Sequence, residues 1–219
     1  MIMENQSVEP MSTKKWMQYF SERPLSAVEI GELFHRIVYK GLLSDDENLP
    51  KLTEQVLSLG MDPNQQVLDS AFEVNEKTFC YYRNLLVYLL DYKENHSGMK
   101  SARLLLERGA DPNAVYDTED GSTPFYFYDD FPYIDDEDMP EDAFYGLILC
   151  SAYGGVNADG QPSFEMLNGE PISALKDFEK YSFEFEHQPF PEGKSGGYLP
   201  GKMYVIEKTT GERIAKYRW

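Results

Sequence analysis

The sequence predicts a mostly α chain: a helical-repeat solenoid followed by a C-terminal antiparallel β appendage. Three observations carry this. A glycine-ended turn recurs at Gly60, Gly109 and Gly154, spaced 49 and 45 residues apart. Each of these glycines follows the apolar end of a helical stretch. The residues after about 169 read differently, as short β-rich runs with a hairpin signal.

The turns come first. Residues 56–64 read "VLSLGMDPN" and residues 105–113 read "LLERGADPN". Gly60 and Gly109 fit a helix C-cap, because glycine enters the left-handed region without a Cβ penalty. Pro63 and Pro112 cannot continue the helix. Asp62 with Asn64, and Asp111 with Asn113, suit a turn closed through their own backbone. "CSAYGGVNADG" at 150–160 is a weaker third copy that loses the Asp-Pro pair. After the second turn, Gly121 and "STP" at 122–124 suit a new helix start, with Thr123 as cap and Pro124 in the first turn.

"LLLERGADPNA…DGSTPF" resembles the ankyrin repeat, whose helix ends in Gly-Ala-Asp-Pro-Asn and whose next unit opens Gly-x-Thr-Pro-Leu-His. Residues 32–64 match the preceding helix–turn–helix shape, and "GQPSFEML" at 160–167 resembles the opening of a further unit. The resemblance spans about residues 26–168. Units of 45–49 residues exceed the usual ~33, so insertions are expected. One is "NEKTFCYYRNLLVYLLDYKENHSGMK", expected to lengthen the first helix or its following turn. Phe125 and Tyr126 stand where the family has Leu-His.

Three segments are therefore expected. Residues 1–25 form an N-terminal segment or cap helix, 26–168 the ankyrin-like repeats, and 169–219 a β appendage that closes the stack. "KYSFEFEHQPF" alternates polar and apolar residues. "KMYVIEKTTGERIAKYRW" is two β-rich runs around Thr-Thr-Gly.

The net charge of −18 is unevenly placed. Residues 109–175 hold 15 acids and no Lys, Arg or His, whereas residues 176–219 hold 7 acids and 8 bases. Such a field repels nucleic acid and anionic membrane and attracts cationic partners. Its densest part is "FYFYDDFPYIDDEDMPED" at 125–142, where rings adjoin carboxylates. The candidate partner-binding residues are Tyr126, Tyr128, Asp129, Asp130, Phe131, Tyr133, Asp135, Asp136, Glu137 and Asp138. A solvated loop is the competing reading.

Other chemistries find little support. Cys80 and Cys150 sit in apolar-aromatic surroundings and suit buried thiols. His35, His96 and His187 are isolated, and no catalytic residue, cofactor or metal is expected. An EF-hand register from Asp135 puts Met139 and Pro140 at positions 5 and 6, and one from Asp117 ends on Tyr128. The first fifteen residues have no apolar core of a secretory signal. The longest apolar stretch, 143–156, is too short for a membrane span. A cytoplasmic protein is expected.

Ankyrin stacks serve as recognition scaffolds, so the resemblance implies a non-enzymatic binding module. Small acidic members of this kind resemble bacterial immunity proteins. The implied partner is then a basic protein such as a nuclease-type toxin. The alternatives are a general ankyrin adaptor or host-directed effector, and a hydrolase with an acidic-aromatic cleft.

Overall fold

The computed structural model describes residues 10–74, 77–90, 96–113, 115–118, 125–126, 142–156, 160–187 and 201–218. Two compact units form: Met1–Ala110 with Tyr116–Thr123, and Asp111–Val115 with Pro124–Trp219.

The first unit is mainly helical. Helices α1 (Thr13–Glu22), α2 (Ala27–Tyr39) and α3 (Leu49–Ser58) precede strands β1 (Gln66–Val74) and β2 (Lys77–Asn84); α4 (Leu85–Leu90) and α5 (His96–Glu107) follow. Amphipathic spacing explains the helices. In α3 the buried positions are Leu49, Leu52, Thr53, Val56 and Leu57, one stripe at i, i+3, i+4, i+7 and i+8. In α2 they include Ile30, Phe34, Ile37 and Val38. Helix α3 packs on α1 and α5, and α4 on α2 and α5. The core they enclose includes Phe34, Ile37, Leu52, Leu86 and Leu105, each essentially sealed from solvent. Burying a side chain of this size stabilises the fold by about 1.5–3 kcal/mol.

The helix starts differ in how they are capped. Ser26 and Glu29 form a capping box on α2: the Glu29 amide donates to Ser26 Oγ at 3.3 Å, and Glu29 Oε2 accepts the Ser26 N–H at 2.8 Å. The Ser26 N–H, and then the Ser26 hydroxyl, which donates to Glu29 Oε2 at 2.7 Å, hold the Glu29 carboxyl below its ordinary range. Ser12 makes no such bond for α1. Asp45, 32 residues away, supplies the cap instead, accepting the Thr13 amide at 2.6 Å and the Thr13 hydroxyl at 3.0 Å. The Trp16 indole donates to the Leu42 carbonyl at 3.0 Å, and a parallel bridge joins Met11 to Leu43.

The second unit is built around a sheet. After β4 (Phe125–Tyr126) and α6 (Asp142–Ala152) come β5 (Glu165–Gly169), two 3-10 turns (Ile172–Lys176, Phe178–Lys180), β6 (Tyr181–His187), β7 (Gly201–Glu207) and β8 (Arg213–Arg218). The strand order is β5-β8-β7-β6, with each neighbouring pair antiparallel. Along β7, Gly201, Met203 and Val205 are buried while Lys202, Tyr204 and Ile206 are not, the period-2 pattern of a sheet with one covered face. Phe164, Leu175, Phe178, Phe183, Ala215 and Tyr217 complete the core. Helix α6 packs against the Ile172–Lys176 turn, and the Tyr145 ring meets Phe183 with centroids 5.5 Å apart. Residues 146–152 of α6 are all buried. This accounts for the longest apolar stretch as a core helix. Among the described residues no helix is long and apolar enough to cross a membrane.

This architecture corrects the expected ankyrin-like solenoid. The described residues contain six α-helices, but their packing does not repeat from one unit to the next. Of residues 75–100, expected to lengthen the first helix or its following turn, Lys77–Asn84 are instead β2, which pairs antiparallel with β1 from Gln66↔Asn84 to Val74↔Lys77. Phe72, Val74, Thr78, Phe79, Tyr81 and Tyr82 give this stretch strand propensity, which outweighs the helical reading. The helix start expected at 121–124 falls outside the described residues; before it, β3 (Val115–Thr118) follows the second turn and pairs with β2 through Tyr81↔Thr118 and Tyr82↔Asp117. "GQPSFEML" opens no new helix: its last residues lie in β5. The C-terminal sheet is not a small appendage either, because four strands enclose a core of their own.

Candidate partner-binding segment

The recurrent turns are well defined. At the first, the Gly60 amide donates to Leu57 O at 3.1 Å and the Met61 amide to Val56 O at 3.0 Å. At the second, Gly109 donates to Leu106 O at 3.1 Å and Ala110 to Leu105 O at 2.9 Å. Both are Schellman caps with φ of +98° at Gly60 and +94° at Gly109. The third, weaker copy has the same bonds, from Gly154 to Ser151 O and from Gly155 to Cys150 O. Asp62 Oδ1 accepts the Asn64 amide at 2.9 Å, and Asp111 Oδ1 accepts the Asn113 amide at 2.8 Å. Pro63 and Pro112 sit inside these Asx-turns. The asparagines then reach along the chain. Asn64 Nδ2 donates to Gly109 O at 2.9 Å, and Asn113 Oδ1 accepts the Val156 amide at 2.8 Å.

The candidate partner-binding residues are not among the residues of these turns. Tyr126 lies in the two-residue strand β4, where only the backbone is described. Tyr128, Asp129, Asp130, Phe131, Tyr133, Asp135, Asp136, Glu137 and Asp138 lie outside the described residues, as do Thr123 and Pro124 of the expected helix start. What is described is how the base-free block is bounded. It begins at the Gly109 cap and runs through α6, which starts at Asp142, to residue 175.

Electrostatics divide the second unit. Its sheet pairs charges across strands: Lys202 with Glu186 at 3.1 Å, and Arg213 with Glu184 at 2.6 Å. Tyr204 sits between them. Its hydroxyl donates to Glu186 Oε2 at 2.7 Å, and its ring lies 4.5 Å from the Arg213 guanidinium and 5.0 Å from the Lys216 ammonium. The bonds from Tyr204 and then Lys202 hold the Glu186 carboxyl below its ordinary range. Exposed pairs of this kind contribute little to stability. Glu165, an acid of the base-free block, accepts Arg218 Nε at 3.0 Å. Its cation therefore comes from beyond residue 175, since no base lies within the block. Tyr217 donates its hydroxyl to the Glu170 carbonyl; burial, and then the Glu170 charge, push its pKa up to about 12.

The histidines occupy different elements. His35 is buried in α2, its ring 5.6 Å from Tyr39 and 4.2 Å from Tyr88, a packing environment. His96 opens α5 and His187 ends β6. Cys150 is buried in α6. Among the described residues no group of three or more His, Cys, Asp and Glu side chains is placed to hold a metal ion. The sequence reading missed the Asp45 cap and the Tyr204 ladder, because their partners are far apart in the chain.

No known protein family, characterised protein or solved structure matches this chain.

Proposed function

We propose that the protein is a non-enzymatic binding module that neutralises a cationic protein partner in the cytoplasm, in the manner of an immunity protein blocking a basic toxin. One observation carries the reading: residues 109–175 hold 15 acids and no basic residue. Isolated acids repel one another and destabilise a compact state, so a concentration of this kind needs a compensating use. A positive partner supplies it. The field steers association, and rings such as Tyr128, Phe131 and Tyr133 supply apolar anchors among the carboxylates. Inhibition follows by occlusion, the carboxylates taking the place of the partner's anionic substrate.

The test begins with capture of the partner from native lysate by the full chain. Asp129, Asp130, Asp135, Asp136, Glu137 and Asp138 are then replaced by Asn or Gln. The neutralised variant should fold normally, associate at least tenfold more slowly at low salt, and lose most of the salt dependence of its on-rate. Truncating Tyr128, Phe131 or Tyr133 should raise the off-rate instead. Wild-type kinetics for the neutralised variant at both low and high salt would show that this stretch is a solvated loop.

A further inference from the structure

We draw no further inference here: the strongest candidate, the outer edge of strand β5 with exposed Met166 and Leu167, is blunted by the register irregularity between Met166 and Asn168, and nothing in the structure shows what covers it.

Discussion

The turns at 60–64 and 109–113 are the same device used twice. Both end a helix with a left-handed glycine, both close an Asx-turn at Asp-Pro-Asn, and both lead into a strand rather than a helix. They differ in what surrounds them. Asn64 makes its long-range bond in an exposed position, whereas the Asn113–Val156 bond is partly buried. The first turn also has a latch: Gln65 Nε2 donates to Val28 O at 3.0 Å, and its carboxamide occupies the space a Cβ on Gly31 would need. Ala114 follows the second turn, and its short side chain carries no amide for such a latch. The lesson is that a turn motif specifies how a helix stops, and its neighbours determine how much that stop contributes to stability.

The largest expected effect tests whether the two glycines are equivalent. A Cβ on Gly60 or Gly109 would meet nothing within 4 Å, so the cost of a side chain lies in the backbone alone. Gly60→Val and Gly109→Val should each destabilise by about 1–3 kcal/mol, and by similar amounts. Thermal or urea unfolding checks this. An unchanged midpoint at either site would remove that glycine from the left-handed region.

A smaller effect separates the asparagines. Asn113→Ala leaves the partly buried Val156 N–H without its acceptor and should cost about 1–3 kcal/mol. Asn64→Ala frees an exposed carbonyl that water can satisfy, and should cost about 0.5 kcal/mol or less. Equal losses in paired unfolding measurements would contradict the difference in burial.

The smallest effect concerns the latch. Gly31→Ala gains about 1 kcal/mol of helix propensity and loses about as much by displacing the Gln65 amide. Stability should hardly change, while the Gln65 side-chain amide resonances move in an NMR spectrum. Unmoved resonances would mean that the carboxamide does not occupy that space.

Some elements were legible before any fold was known. The Gly60 and Gly109 caps were, because their bonds close within six residues. So were strands β6, β7 and β8, whose alternation and Thr-Thr-Gly turn are local signals. The acidic interface candidates were chosen from charge and ring content alone, and all but the backbone of Tyr126 lie outside the described residues. The β1–β2 pair was misread, since a turn resemblance on either side suggested helix, and the β-favouring residues between them were treated as an insertion.

By itself the sequence determined the helix stops at Gly60 and Gly109 and the partition of charge into a base-free block and a nearly balanced C-terminal region. Each depends on residues a few positions apart, or on composition alone. Only the tertiary structure decided that β3 follows the second turn, that Asp45 caps α1 across 32 residues, and that β5 joins β8, tied by Glu165 and Arg218 at 53 residues' separation. The physical reason is the range of the interactions. A C-cap is satisfied by its own last turn, whereas a strand is stabilised by hydrogen bonds to a partner strand, and which segment becomes that partner is settled only when the whole chain packs.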